Sequence, residues 1–300
     1  MENNHQKLGE VIMANEFEFE VPGGGKVFTG MKMPETMPLS FVAFPKPAIR
    51  SLSDIAELVK ESKTLDIRRE WANEVNWFNQ GNKSSCNAYM IAWIICILIW
   101  RFTGGKTRLS PEWVYSIING GEDGGSMLDD GMVQAFEGGM PAYAAAFYQR
   151  YRQGQFSMEE KRWATQSAKD HRFAECYKAP TDSFENMMLA LFSCIAEGGA
   201  VGMAVHVGDQ YMRSGSVAGF DDGDGNHAIA GAQLELLTPN PKSINDIQIV
   251  SPQSWGSRFA NKGFTNITAK HCYRPGRYHA FYCVRAVTAT ADAVEACRIK

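Results

Sequence analysis

A run of twelve consecutive apolar residues, at positions 89–100, constrains the fold of this chain more than any other feature of its sequence. As a helix the run would be about 18 Å long, too short for the roughly 30 Å hydrocarbon core of a bilayer. A helix that is apolar on every side is typical of a buried core position. The run therefore predicts a central helix. With 300 residues, 45% of them hydrophobic, the chain can build a large core around it, as one domain or as two lobes.

Charge and cysteine usage exclude several classes of function. The net charge is −3 and no cluster of Lys and Arg forms a stripe, so nucleic acid is not an expected partner. Residues 1–14 lack a basic region followed by an apolar core, so we expect no signal peptide, no membrane association and a cytoplasmic location. The seven cysteines are odd in number and show no CxxC spacing. This pattern indicates a reduced, intracellular protein without a metal site or other cofactor, and leaves one or two disulfides open.

The first half of the chain is predicted to be mainly helical, after an irregular extension over residues 1–50. The apolar residues of this extension predict that it docks on the main body: Val27, Phe28, Phe41, Val42 and Phe44. Capping residues and glycine stops predict helices at 53–62, within 65–139 (one opening at Ser110-Pro111, another at 132–136) and from Ser183 to the glycines at 198–199. Residues 150–180 show no clear pattern.

In the second half the hydrophobic period changes from 3.6 to 2. This period predicts strands at 201–207, 227–237, 247–250, 263–268 and 278–287, with Gly/Asp-rich or Pro/Asn-rich connections that suit antiparallel pairing. Helices followed by strands favour an α+β protein with a helical lobe and a β lobe.

Cys86 stands at the threshold of the apolar helix, six residues after Gln80. A thiol at a helix N-terminus is disposed to ionise, and the thiolate is the nucleophilic form. The Gln80 amide could donate a hydrogen bond to a developing oxyanion. The alternative is that Cys86 is a small buried hydrophobic residue, as free cysteines usually are.

A thiolate nucleophile needs a base, and His227 is the best candidate among the six histidines. It follows an Asp/Gly-rich turn, opens an apolar strand and lies 141 residues after Cys86. The Gln253 amide, in a later loop, could accept the imidazole N–H and fix its tautomer, with Trp255 covering that bond from water. The alternative for His227 is a histidine at the start of a strand without a catalytic role. The alternative for Gln253 and Trp255 is a surface loop with a packed tryptophan.

From about residue 65 to its C-terminus the chain resembles the papain-like (C1-type) cysteine peptidases. Six segments carry the resemblance in the family's order and spacing: Leu65-Asp66-Ile67-Arg68, Asn79-Gln80-Gly81 with Ser85-Cys86, Leu109-Ser110-Pro111, Gly124-Gly125-Ser126, Asn226-His227-Ala228 and Ser254-Trp255-Gly256. The resemblance implies a papain-like two-lobe fold, with a helical left lobe and an antiparallel, β-barrel-like right lobe. Residues 63–300 would form the peptidase domain. Residues 1–62 would form an N-terminal extension, either a docking arm or a zymogen's propeptide.

The resemblance also implies roles for individual residues. Cys86 would be the nucleophile, His227 its base, Gln253 the orienting amide, and Gln80 with the Cys86 N–H the oxyanion hole. The substrate would contact Gly124, Gly125, Met127, Ala228 and Trp255, and Met127 and Ala228 would form an apolar specificity pocket. Three positions depart from the family: Lys83 replaces a structural half-cystine, Asn87 replaces a tryptophan, and Gln253 replaces an asparagine.

Three functions are open at this point. The first is a cysteine peptidase that hydrolyses polypeptides through a thioester and needs no cofactor. The second keeps this chemistry but acts on another amide, such as a cell-wall peptide, or transfers an acyl group. The third is an inactive structural or binding protein on the same scaffold, with its site degraded at Asn87 and Gln253.

Overall fold

The computed structural model describes residues 41–62, 66–213, 217–218, 225–273 and 281–289, together with short strands before residue 41. Its helices are α1 (Leu52–Glu61), α2 (Ile67–Glu70), α3 (Cys86–Thr103), α4 (Pro111–Ile118), α5 (Leu128–Glu137), α6 (Met158–Ala168), α7 (Phe184–Ala196), α8 (Asp209–Arg213) and α9 (Ala269–Cys272). Its strands are β1 (Phe17–Glu20), β2 (Lys26–Thr29), β3 (Met31–Lys32), β4 (Ser126–Met127), β5 (Arg172–Lys178), β6 (Ala200–Val207), β7 (Val217–Ala218), β8 (Gly225–Gly231), β9 (Gln233–Leu236), β10 (Ile247–Pro252), β11 (Phe264–Thr268) and β12 (Phe281–Thr288).

Helix α3 is the predicted central helix, and every residue from Cys86 to Trp100 is buried. It ends where Gly104 adopts a left-handed backbone (φ 70°) and donates its N–H to the Trp100 carbonyl at 2.7 Å. Glycine adopts this conformation at little steric cost. In the described part of the chain α3 alone is long and apolar enough to cross a membrane, and 83% of it is buried inside the protein. Its apolar surface is therefore satisfied by the core.

The later strands form two four-stranded sheets, in the orders β5-β12-β6-β8 and β7-β11-β10-β9. Their pairs are antiparallel except β7 with β11. The chain passes from one sheet to the other at Ala232, between β8 and β9, and the Ala232 N–H donates to the Val250 carbonyl of β10 at 3.1 Å. Strand β8 packs against α3. The predicted α+β class, with helices preceding a mainly antiparallel part, is confirmed.

Several local predictions were wrong or incomplete. Residues 1–50 are not wholly irregular, because they contain β1, β2 and β3. The helical stretch 65–139 includes the short strand β4, and the predicted strand 227–237 is two strands because the chain changes sheets at Ala232. The uninterpreted region 150–180 holds α6 and β5. Ser110 precedes α4 as predicted but does not cap it; its hydroxyl donates to the Ala142 carbonyl at 3.0 Å.

The N-terminal extension contacts the rest of the protein at several points, and its helix α1 packs against α7 and β9. Strand β3 pairs in parallel with β4, in the register Met31↔Ser126 and Lys32↔Met127, and both β2 and β3 lie against β8. Further along, the buried Phe44 donates its N–H to the Lys178 carbonyl of β5 at 2.7 Å. Val42 is 70% exposed, and the side chains of Val27 and Phe28 lie outside the described residues. The division at residue 62 stays a prediction.

Candidate active site

Cys86 is the first residue of α3, directly after Ser85 at the N-cap position. The unpaired N–H groups of the first turn and the helix dipole favour an anion at this end of the helix. The residue has no exposed surface. Cys86 and Ala228 of β8 belong to the same buried cluster, so the candidate nucleophile and the strand of the candidate base are on packed neighbouring elements.

The loop before Cys86 is tied to the loop after β10. The Gln80 N–H donates to the Ser254 carbonyl at 2.8 Å, and the Ser254 hydroxyl donates to the Gln80 carboxamide oxygen. The Gln80 Nε2 atom donates to the Lys83 carbonyl at 2.6 Å. These bonds hold the buried Gln80 amide in one orientation beside the nucleophile loop, and they join the two chain segments that the sequence analysis selected separately.

His227 is the third residue of β8 and is fully buried. Its ring stacks on Trp255, with 4.1 Å between ring centroids and 14° between planes. Burial lowers the pKa of His227 to about 3, and the nearby Gln253 side chain opposes part of that shift. Neither ring nitrogen has a hydrogen-bond partner with good geometry among the described residues. The imidazole is therefore uncharged at neutral pH in this structure.

Gln253 is also fully buried, but other groups occupy its carboxamide. Its oxygen accepts a hydrogen bond from the Tyr211 hydroxyl at 3.0 Å, and its Nε2 atom donates to the Ser251 hydroxyl at 3.0 Å. Its backbone carbonyl accepts from Trp93 Nε1 of α3 at 3.2 Å. A glutamine reaches one methylene further than an asparagine, and here that reach is used toward Tyr211. The bond from Gln253 to His227 stays a prediction.

The predicted substrate segment follows Asp123, whose carboxylate accepts a hydrogen bond from the Ser84 N–H in the loop before Cys86 at 3.0 Å. Gly125 is buried with φ 75°, and its N–H donates to the Tyr115 hydroxyl at 3.2 Å. Met127 is half-buried, and β4 is paired with β3. Asn87, next to the nucleophile, donates from Nδ2 to the Ser126 hydroxyl at 3.1 Å and to the Met127 carbonyl at 2.7 Å. Asn87, which departs from the family's pattern, therefore ties the first turn of α3 to β4.

Sequence reasoning did not identify Tyr211 as part of the site, and it gave no hydrogen-bond partners for Ser254 or Asn87. The Tyr211 hydroxyl and the Ser254 hydroxyl find their partners 42 and 174 residues away, so no local pattern marks them. For Asn87, its polar side chain within an apolar helix was the one sequence signal that could have indicated a buried hydrogen-bond partner.

The described part of the chain holds no group of three or more His, Cys, Asp or Glu residues that could bind a metal ion. The cysteines of this part of the chain are buried thiols that form no disulfide with one another: Cys86, Cys96, Cys176, Cys194, Cys272 and Cys283. Cys297 lies outside the described residues.

Comparison with known proteins places this arrangement in a structural context. The chain matches no protein-family model and no curated protein sequence. It does match solved structures. Xylellain, a cysteine protease from Xylella fastidiosa, aligns with a TM-score of 0.59 at 15% identity, over 86% of this chain and 96% of that chain.

Two further matches are precursor proteins by name. Digestive procathepsin L 3 from the Tenebrio molitor larval midgut aligns with a TM-score of 0.54 at 16% identity, over 74% of this chain and 69% of that chain. Procathepsin B S9 from Trypanosoma congolense aligns with a TM-score of 0.53 at 14% identity, over 85% of each chain. At these identities the likeness concerns the fold. The chain therefore has the two-lobed, papain-like fold of the C1-type cysteine peptidases.

Proposed function

We propose that this protein is a cysteine peptidase that hydrolyses peptide bonds with Cys86 as nucleophile and His227 as base. The observation that carries the proposal is the placement of Cys86 at the N-terminus of α3, packed against the strand that carries His227. The fixed Gln80 amide beside the nucleophile loop supports the same chemistry. The Cys86 thiolate would attack the substrate carbonyl, and the Gln80 amide and the Cys86 N–H would stabilise the oxyanion.

His227 would then protonate the departing amine, which leaves an acyl group on Cys86 as a thioester. Water, activated by the same imidazole, would cleave the thioester and restore the thiol. The reaction uses only polar groups of this chain.

The covered site supports a second element of the proposal, that this is a latent form of the enzyme. Strand β3 pairs with β4, whose edge is expected to receive the substrate backbone. Strands β2 and β3 also lie against β8, the strand that carries His227. Cys86 and His227 have no exposed surface. With a pKa of about 3, His227 is neutral and cannot hold a thiolate as an ion pair. The N-terminal extension would therefore act as a propeptide, as in precursors such as the two named above.

A second candidate function is a binding protein without activity. The specific observation in its favour is the Gln253 carboxamide, whose oxygen accepts from Tyr211 and whose nitrogen donates to Ser251. If this arrangement persists when the site is uncovered, His227 lacks an orienting partner.

A cleavable extension tests both candidates in the full chain. We would insert a recognition site for a specific protease between β3 and Phe44, and measure Cys86 labelling by an epoxide and hydrolysis of peptide substrates before and after the cut. Labelling and hydrolysis that appear only after the cut support a latent peptidase. Labelling without hydrolysis of any peptide favours another amide substrate. No labelling in either state favours the binding protein. Cys86→Ala should abolish labelling, whereas Cys96→Ala, in the same buried helix, should not.

A further inference from the structure

Asp123, which no part of the reaction above uses, joins the nucleophile loop to the substrate strand. Its Oδ1 atom accepts hydrogen bonds from the Ser84 N–H at 3.0 Å and from the Tyr115 hydroxyl at 2.8 Å. Its Oδ2 atom lies 3.4 Å from Lys83 Nζ, and both of these side chains are about four-fifths buried, with 22% and 21% exposed. A carboxylate that accepts two hydrogen bonds and contacts a partly buried cation is held more firmly than a carboxylate in an exposed ion pair.

The first pair of contacts controls the nucleophile loop. Lys83 and Ser84 lie just before Cys86, and the Lys83 carbonyl accepts the hydrogen bond from the Gln80 amide at 2.6 Å. The Lys83 ammonium also lies over the Tyr151 ring, 4.7 Å from its centroid. The contact with Lys83 therefore also holds the Gln80 amide, which donates to the Lys83 carbonyl. The hydrogen bond from the Ser84 N–H holds Ser84 and Ser85, the two residues before α3.

The second contact controls the substrate strand. The buried Tyr115 hydroxyl donates to Asp123 and accepts from the Gly125 N–H at 3.2 Å, directly before β4. Burial raises the pKa of Tyr115 above its usual range, and the charge and hydrogen bond of Asp123 raise it further. The hydroxyl is therefore protonated at neutral pH and has a proton to donate to Asp123.

We infer that Asp123 is a positioning residue that sets the distance between the Cys86–Gln80 side of the site and the strand that receives the substrate. In its effect on catalysis this inference rests on the proposed function. The resemblance to the papain-like family places a structural half-cystine at position 83, and here Lys83 forms an ion pair with Asp123 instead. The cross-link beside the nucleophile is thus non-covalent, and it does not depend on the redox state of any thiol.

Amide hydrogen exchange in the full chain tests the physical part of the inference without any substrate. Asp123→Leu should accelerate exchange about tenfold both at residues 83–86 and at residues 124–127, because it removes charged hydrogen bonds to both. Lys83→Met should accelerate only the first segment, and Tyr115→Phe only the second. The matched control is Glu175→Leu. Glu175 likewise accepts a hydrogen bond from a tyrosine hydroxyl, that of Tyr177, at 2.8 Å and pairs with Arg285 at 3.5 Å. It lies on β5, which β12 and β6 separate from β8.

The catalytic part is tested on the cut protein described above. Lys83→Met should lower kcat about tenfold with KM nearly unchanged, whereas Tyr115→Phe should mainly raise KM. If Asp123→Leu does not fold, Asp123→Asn keeps the Oδ1 acceptor and should behave like Lys83→Met. The inference is overturned if the Asp123 variants accelerate exchange in neither segment, or no more than Glu175→Leu does. If hydrogen exchange changes as expected but the cut protein cleaves no peptide, the positioning role of Asp123 is retained and the proposed function is rejected.

Discussion

The burial of His227 makes a quantitative prediction about stability in acid. The pKa of His227 is about 3 in the folded protein and 6.5 for an ordinary histidine, and burial is the main cause. As the pH falls, the unfolded chain binds a proton at this residue before the folded chain does. The stabilising contribution is therefore complete above about pH 6.5 and is lost progressively as the pH falls toward 3. The side chains named around the ring, Trp255 and Gln253, carry no charge that would compensate.

The size of the effect follows from the difference between the two pKa values. Each pH unit below about 6.5 costs about 1.4 kcal/mol. At pH 5 the protein should have lost about 2 kcal/mol of its unfolding free energy through His227 alone. That is a large fraction of the 5–15 kcal/mol typical of a folded domain.

Urea unfolding, followed by tryptophan fluorescence at pH 7.5, 6 and 5, measures this loss. The control variant is His227→Gln, which keeps a polar side chain of similar size and does not titrate. Other groups cancel in the comparison, including Asp129 and Glu112, whose pKa values are raised by burial in both proteins. We expect the wild type to lose about 2 kcal/mol more than the variant between pH 7.5 and 5. Parallel losses in the two proteins would refute the reasoning.

Three further substitutions test other contacts. Tyr211→Phe removes the donor to the Gln253 oxygen and should cost about 1 kcal/mol of unfolding free energy in urea. The control is Tyr177→Phe, which removes the hydrogen bond to Glu175, and an equal effect of the two variants would contradict the assigned bond. Asn87→Leu removes two hydrogen bonds to β4 and should cost about 2 kcal/mol of unfolding free energy. It should also raise KM in the cut protein, and an unchanged KM would argue against a role of β4 in substrate binding. Gly139→Ala combines φ 75° with a Cβ atom that would overlap the Ala168 carbonyl oxygen. It should cost more than about 2 kcal/mol of unfolding free energy. The control is Gly120→Ala, where φ is 71° but no atom lies near the new Cβ, so only the unfavourable backbone conformation should cost about 1 kcal/mol. Equal melting temperatures of the two variants would be inconsistent with the overlap.

Local pattern by itself determined the central elements of this protein. The apolar run predicted α3, and the residues from Cys86 to Trp100 are indeed buried on all sides. Ser183 caps α7 as predicted, by accepting from the Asn186 N–H. The period-2 segments became β6, β8 to β11 and β12. Each of these signals is contained in a few consecutive residues, because capping and side-chain periodicity depend only on near neighbours in the chain.

Tertiary structure alone decided which long-range contacts hold the candidate site. The extension was predicted to be irregular, yet its two-residue strand β3 pairs with β4, 95 residues later in the chain. Gln253 was recognisable as an amide near the base, but its actual partner, Tyr211, is set by how α8 packs against the loop. Asp123 had no role in the sequence analysis, yet its carboxylate accepts the N–H of Ser84, 39 residues earlier. Such contacts depend on chain closure over long separations, which no local sequence pattern records.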